Sequence, residues 1–246
     1  MTDLSSSQRH TAESLARDLE DVFGTRLRAL VAYVGTHGDG SVHSCAIVEG
    51  LGFQDLARCL PFTDRWHQRR AAVPLLLAPD ELERTLDIFP LEYAAIAADH
   101  VVVRGTDPFA GVVIPREHVR RATEAQVKSH VIHLREGYLE SRGESARIGR
   151  VVAASAGPLR ALLINIARLA AATPAMPDDA ELAALTERLT GAPAAVIREV
   201  LATSAAGPSS VTDPSHLLSR YIDAAQKIWE YVDRVNSTTP QLPTPK

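Results

Sequence analysis

The amino-acid sequence predicts an α+β protein with an N-terminal α/β domain and a C-terminal all-helical domain. In residues 1–114, short apolar runs alternate with amphipathic segments, as expected for strands alternating with helices. From Pro115 to residue 236, the apolar residues recur only at helical spacing. A length of 246 residues suits two compact domains. Residues 237–246 are rich in Thr and Pro without an apolar pattern, so we expect a disordered tail there.

The N-terminal elements follow from apolar spacing and from helix stop signals. Leu15, Leu19 and Phe23 fall on one side of a helix that Gly24 would end. Short apolar runs bounded by turn residues are typical of buried strands. The predicted elements are, in order, a helix over Thr11–Phe23, a strand over Leu27–Val34, a glycine-rich turn over Gly35–Gly40, a strand over Val42–Val48, a helix over Phe53–Arg69 disturbed at Pro61, a strand over Ala72–Ala78 and a helix from Pro79.

The segment from Asp87 to Arg104 is compatible with two interpretations. Alternation at Ile88, Pro90 and Glu92 favours a strand, whereas the run from Tyr93 to Ala98 would also suit a helix. We predict a strand through Glu92, a short helical turn and then a strand over His100–Arg104. The character of Asp87–Ala98 remains the least determined feature of the sequence.

The C-terminal half predicts a bundle of about five helices. Val119, Val127, Val131 and Leu134 belong to an apolar stripe on one long helix that begins at Pro115 and is closed by Gly143. The further predicted helices cover Ala146–Ala172 with a kink or break at Pro158, Asp179–Leu189, Ala192–Ala202 and Asp213–Val235.

Composition and charge exclude several classes of protein. A formal net charge of −4 predicts no general attraction to nucleic acid or to an anionic membrane. Cys45 and Cys59 are too few for a disulfide framework, and neither has a Cys-x-x-Cys partner. The first residues lack a basic segment followed by an apolar run, so no signal peptide is expected. We therefore expect a cytoplasmic protein.

The order helix, strand, glycine-rich turn, strand resembles the opening of nucleotidyltransferases of the DNA polymerase β type. The resemblance lies in Leu27–Thr36, where a strand runs into a Gly-Thr turn. It implies a mixed sheet with flanking helices, a turn that holds a triphosphate, and a following strand whose Asp-x-Asp pair binds two magnesium ions. Such ions clamp the transferring phosphoryl group, and only closely placed carboxylates can hold them.

The chain departs from this pattern where the chemistry needs its acids. Val42 and Ser44 stand at the positions of the two aspartates. Valine cannot bind a metal, and a neutral serine is a weak ligand beside a carboxylate. Gly35 and Thr36 keep the shape of the phosphate turn, and Glu92 is the one candidate for the third acid of the family. We therefore predict no catalytic residues and no metal site.

The resemblance extends over most of the chain. The segments Asp87–Asp107, Tyr221–Ala225 and Val232–Val235, together with the long basic helix after Pro115, are similar to a group of uncharacterised bacterial proteins. In that group a nucleotidyltransferase-like domain precedes a helical domain, and the Asp-x-Asp pair is commonly lost. The resemblance implies the same organisation here.

Two histidine pairs are further candidates for a cation site. His37 and His43 flank the glycine-rich turn with Asp39 between them, and His130 and His133 are spaced i, i+3 on a predicted helix. Loop histidines near glycine are more often simply solvated, and no third ligand is identifiable for the helical pair. We therefore interpret the first pair as solvated loop residues and the second as a surface pair.

The first helix of the C-terminal domain has a basic side. It is formed by Arg116, Arg120, Arg121, Lys128 and Arg135. In the family this helix lies near the cleft, so Arg120 or Lys128 could meet a phosphate. The alternative that we favour is a solvated helix face balanced by Glu117, Glu124 and Glu136.

Three functions are consistent with these features. The first is a non-catalytic nucleotidyltransferase-fold protein that acts as a ligand-binding or interaction module, with the candidate ligand-binding residues Gly35, Thr36, Ser44, Glu92, Arg120 and Lys128. The second is an active magnesium-dependent nucleotidyltransferase with an unusual acidic site drawn from Asp39, Glu49, Glu92 and Asp99. The third is a structural or regulatory partner protein. The expected partners are a nucleotide or another small anion, and a protein or a second copy bound through the helical domain.

Overall fold

A computed structural model of the chain describes residues 4–35, 40–170 and 177–235. It confirms the α+β class, because a four-stranded mixed sheet near the N-terminus is followed by a mainly helical part. The chain divides into two compact units, and the division falls between Ile114 and Pro115. The periodicity of the sequence changes at the same position.

The N-terminal unit is built around a sheet with the strand order β3-β2-β1-β4. Strand β1 is antiparallel to both β2 and β4, whereas β2 is parallel to β3. The elements are α1 (Ser6–Phe23), β1 (Leu27–Val34), β2 (Val42–Val48), α2 (Phe53–Gln68), β3 (Leu75–Leu77), α3 (Pro79–Arg84), α4 (Pro90–Ala98) and β4 (Val101–Gly105).

Helices cover both faces of this sheet. On one face, Leu19 of α1 and Trp66 of α2 join a buried cluster with residues of β1 and β2. On the other face, Leu82 of α3 and Tyr93 of α4 join a second cluster with residues of the same strands. We call these two surfaces the α1/α2 face and the α3/α4 face. Because both are buried, the strands read as continuous apolar runs rather than alternating ones.

A buried carboxylate ties α1 to α2. Asp18 accepts hydrogen bonds from Arg65 Nη2 at 2.5 Å and from Trp66 Nε1 at 2.9 Å. A buried acid is tolerated when its oxygens are satisfied by a cation and by hydrogen-bond donors. These contacts fix the two helices over one face of the sheet.

The start of α1 lies earlier than the predicted Thr11, because Ser5 caps the helix. Gln8 N donates to Ser5 Oγ at 3.3 Å, and Ser5 N donates to Gln8 Oε1 at 2.9 Å. This reciprocal pair satisfies two backbone groups that a helix start otherwise leaves unbonded. The third predicted strand, Ala72–Ala78, is reduced to Leu75–Leu77.

The predicted strand through Glu92 is wrong, because Pro90–Ala98 forms helix α4. Pro90 lies in the first turn, where its missing N–H would have no helical partner. Tyr93 and Ile96, spaced i, i+3, are both buried on the α3/α4 face. The burial of Tyr93 and Ile96 on one side of a helix outweighs the short alternation of apolar and polar residues that favoured a strand.

Two helices continue through prolines that were expected to disturb them. Pro61 lies inside α2, and Pro158 lies inside α6 (Ser145–Leu169), which is a single helix. Both prolines are exposed. The carbonyl group that each proline leaves without a helical donor therefore lies on the solvent side, where water can satisfy it.

The described part of the C-terminal unit contains five α-helices. They are α5 (Arg116–Ser141), α6, α7 (Asp179–Thr190), α8 (Ala194–Ala206) and α9 (Pro214–Arg234). Helix α6 packs against α5, α7, α8 and α9 and is buried on several sides, which marks it as the central helix of the bundle. By length and composition alone α6 could cross a membrane, but 56% of its most apolar window is buried inside the unit. The buried core helix of a globular domain can have the same length and apolar composition.

We predict that Gly105→Ala destabilises the sheet more than Gly50→Ala does. Both glycines have positive φ, +70° and +60°, so alanine costs about 1–2 kcal/mol at either position. At Gly105 a Cβ would also overlap the carbonyl oxygen of Arg28 on β1, whereas nothing lies within 4 Å at Gly50. Crowding of this kind adds about 1–3 kcal/mol. Urea denaturation of both variants measures the difference, and equal losses would contradict the overlap.

Candidate functional site

A cavity of about 510 Å³ lies on the α3/α4 face. Its volume falls in the range of about 300–1,000 Å³ that is usual for small-molecule sites. The buried side chains of Ile47 and Leu82 contribute to its lining, between α3 on one side and the turn after β4 on the other. The lining residues are Ile47, Pro79, Leu82, Glu83, Leu86, Pro108, Ala110, Gly111, Val112 and Val113.

Hydrogen bonds and ring packing hold the turn that forms one wall. Asp107 Oδ1 accepts from Phe109 N at 2.8 Å and lies 3.0 Å from His100 Nε2. The other ring nitrogen of His100 lies 2.8 Å from the carbonyl oxygen of Ile96. Both ring nitrogens thus lie within hydrogen-bond distance of oxygen atoms. Phe109 is buried against the rings of Tyr93 and His100. This wall is therefore ordered without a ligand.

The side chains that line the cavity are apolar except for Glu83, and backbone polar groups make up part of its surface. Glu83 is the one lining residue with an ionisable side chain, and it is exposed. Apolar pockets with few polar groups bind ligands through buried apolar surface, and the polar groups fix their orientation. The arrangement suits a small apolar molecule whose cationic group lies at the rim beside Glu83.

Tyr33, His43 and Cys45 also lie on the α3/α4 face, near the end of the sheet where β1 connects to β2. The rings of Tyr33 and His43 lie 5.7 Å apart. Burial, with smaller contributions from Cys45 and Glu92, raises the pKa of the Tyr33 hydroxyl to about 12. Burial also raises the pKa of the Cys45 thiol to about 12. Cys45 therefore remains a neutral thiol near pH 7 and is not an activated nucleophile.

Gly35 leaves room for a neighbouring ring in the hairpin. A Cβ at this position would overlap the imidazole ring of His43 across the strand pair. The absence of a side chain at Gly35 lets the His43 ring lie against the backbone. In a phosphate-binding turn, the absence of a side chain would instead let a phosphate approach the backbone. Thr36 and Asp39, which the sequence also suggested for this turn, lie outside the described residues, as does His37.

Val42 and Ser44 lie on the α1/α2 face, and their residues are only 2% and 3% exposed. Val42 belongs to a small cluster with Ala12 of α1. In the described part of the chain, Ser44 Oγ has no hydrogen-bond partner. A buried hydroxyl of this kind costs about 1–3 kcal/mol. Ser44, predicted as a ligand-binding residue, is thus covered by the helices of its face.

The candidate acids that the structure describes, Glu49, Glu92 and Asp99, do not form one group. Glu92 is exposed on α4, and its charge contributes to the raised pKa of Tyr33 on the α3/α4 face. Glu49 follows the other end of β2, where Arg28 Nη2 donates to its Oε1 at 2.7 Å. Seven strand residues separate that end from the hairpin turn, about 20 Å at the usual rise. Asp99 is the C-cap residue of α4. Within residues 4–35, 40–170 and 177–235, no group of three His, Cys, Asp or Glu residues is placed to hold a metal ion.

The predicted cations of α5 have partners within their own unit. Arg120 donates to Glu117 at 3.1 and 3.2 Å and to Glu124 at 2.8 Å. The Lys128 ammonium lies 3.7 Å from the centre of the Trp229 ring. Arg120 is therefore balanced by two carboxylates, as in the interpretation of a compensated helix face.

His130 is part of the packing of the bundle, which corrects the prediction of a surface pair. Its Nε2 lies 2.5 Å from the Tyr221 hydroxyl, and the two rings are 5.7 Å apart. Burial, together with the nearby His133, lowers the pKa of His130 to about 4. A neutral imidazole can accept a hydrogen bond from the Tyr221 hydroxyl. His130 therefore links α5 to α9 rather than serving as a metal ligand.

Comparison with known proteins does not identify a family. No protein-family model and no curated protein matches the chain. The features from which a function can be inferred are the cavity, its ordered wall and the separation of the acids.

We predict that the bundle loses stability as the pH falls from 7 to 5, and that His130→Gln reduces this loss. The pKa of His130 is about 4 in the folded chain and 6.5 in the unfolded reference, so the unfolded chain takes up the proton first. The contribution of His130 to the free energy of unfolding is therefore fully present above pH 6.5 and is lost as the pH falls toward 4. The loss is about 1.4 kcal/mol per pH unit and reaches about 2 kcal/mol by pH 5.

Denaturation at several pH values measures the effect. The control is His133→Gln, which changes an exposed histidine one turn away and should retain most of the pH dependence. Parallel stability profiles for wild type and His130→Gln would contradict the assignment.

Proposed function

We propose that the N-terminal unit is a non-catalytic ligand-binding module with nucleotidyltransferase-like organisation, and that its ligand is a small apolar molecule with a cationic group. The observation that carries this proposal is the cavity on the α3/α4 face, with its apolar lining and the Glu83 carboxylate at its rim. A preformed wall favours binding, because little conformational entropy is lost when the ligand enters.

The proposed nucleotidyltransferase-like organisation is supported by the order of elements. Helix α1, strand β1, a glycine-containing turn and strand β2 follow one another in a mixed sheet with flanking helices. In the proposed alignment Val42 and Ser44 take the positions of the metal-binding acids, and both are buried beneath α1 and α2. Two-metal phosphoryl transfer needs carboxylates on one open surface. The proposal is therefore of a protein without this chemistry.

The cavity can be tested with two fluorescent probes that differ in charge. We expect dansylcadaverine, which has an ammonium group, to bind more tightly than dansylglycine, which has a carboxylate. Glu83→Gln should reduce this preference by about 1.4- to five-fold, because a charge at an exposed rim contributes only about 0.2–1 kcal/mol. Ala110→Trp should weaken both probes at least about tenfold, since the indole would occupy the cavity.

Ala98→Trp is the matched control, because Ala98 is exposed on α4 and does not line the cavity. Circular dichroism of each variant verifies that it is folded. Equal loss of binding in Ala98→Trp and Ala110→Trp, or a preference for dansylglycine that Glu83→Gln does not alter, would contradict the proposal.

We also expect no magnesium-dependent binding or transfer of nucleotides. Without convergent carboxylates, an anion such as ATP would depend on individual charge-assisted hydrogen bonds of about 1.5–3 kcal/mol each. Calorimetric titration of ATP with and without magnesium measures this, alongside an assay for pyrophosphate release. Tight magnesium-dependent binding, or release that Glu92→Gln abolishes, would instead support the active enzyme with an unusual acidic site.

A further inference from the structure

Helix α5 carries a line of residues beside its buried face, on the side next to α9. Lys128, Ile132, Arg135 and Leu139 follow one another at spacings of four, three and four residues, so they form one line along the helix. Ile132 and Leu139 are 42% and 74% exposed. We call this line of four residues the α5 stripe. It is about 17 Å long at the usual helical rise.

The two cations of the α5 stripe differ from the other cations of the helix. Lys128 lies over the ring of Trp229, and Arg135 Nη2 donates to Gln226 Oε1 at 3.4 Å. Both partners are uncharged. In the described part of the chain, neither cation forms an ion pair, whereas Arg120 and Arg121 are both bound by Glu117. The stripe therefore carries two positive charges that lack a carboxylate, held on the side of α5 next to α9.

We propose that the α5 stripe docks an amphipathic helix of another protein. Apolar residues of that helix would cover Ile132 and Leu139, which are separated by seven residues as in helix-on-helix packing. Carboxylates beside them would meet Lys128 and Arg135, which form no ion pair within the described residues. Glu136 lies about 100° further around the helix from Arg135 and borders the stripe on its other side.

Charge and area distinguish this partner from two other occupants. A second copy of the stripe would place its cations against those of the first, and like charges across an interface oppose association. Membrane-surface helices bury a broad apolar face, whereas this stripe has only two apolar residues.

The test uses two labelled 18-residue helical peptides that have leucine at heptad positions a and d. One has glutamate at positions e and g, and the other has lysine there. We expect the glutamate peptide to bind the full chain, by fluorescence anisotropy, and the lysine peptide to bind at least about tenfold more weakly. Binding of the glutamate peptide should weaken as salt is raised.

Lys128→Glu/Arg135→Glu should reverse this preference, and Leu139→Ser should weaken binding of the glutamate peptide at least about tenfold. The matched control is Arg188→Glu/Arg198→Glu, which reverses two exposed cations on α7 and α8 and should bind like the wild type. Circular dichroism verifies the folding of each variant.

Equal binding of both peptides, or equal effects of the two double variants, would overturn the proposal. Self-association of the wild type that Leu139→Ser abolishes in sedimentation equilibrium would assign the stripe to a second copy. Binding to phosphatidylserine vesicles that Lys128→Glu/Arg135→Glu abolishes, without binding of the glutamate peptide, would assign it to a membrane.

Discussion

The register of β2 determines which residues of the N-terminal unit can act together. In the hairpin, Val31 lies opposite Cys45, and Ala32 lies opposite Ser44. Because side chains alternate along a strand, a slip of one residue would exchange every contact of β2 between the two faces. Both faces are buried, but α1 and α2 cover one and α3 and α4 cover the other. The packing of four helices therefore depends on this one alternation.

The alternation also separates the two possible sites. Val42 and Ser44 belong to the face beneath α1, whereas Ile47 belongs to the face with the cavity. Restoring acids at positions 42 and 44 would thus bury carboxylates in a packed layer, where a charge without partners is strongly unfavourable. A ligand site on the opposite face avoids this cost, because its lining is apolar and its one carboxylate is exposed. The same strand borders the cavity on one side and is closely packed on the other.

The sequence was informative where structure is local. Continuous apolar runs predicted β1 and β2 with the observed bounds, because strands buried on both faces leave little ambiguity. Helix α4 was missed because its helical spacing is short and its burial depends on a distant sheet. The cavity was missed for a similar reason, since Ile47, α3 and residues 108–113 come together only in the fold. One local signal was present: Phe109, Val112 and Val113 place apolar residues in a segment that reads as a loop.

The charged and polar residues of α5 differ in the contacts that they make within the bundle. Arg120 is neutralised by Glu117 and Glu124, which the i, i+3 and i, i+4 spacing allows. His130, on the buried side, is kept neutral and bonded to Tyr221. Lys128 is held over an aromatic ring, which keeps its charge while ordering its long side chain. An ordered cation without an ion pair would lose less entropy on meeting an acidic group, so Lys128 suits the proposed docking better than the paired Arg120 does.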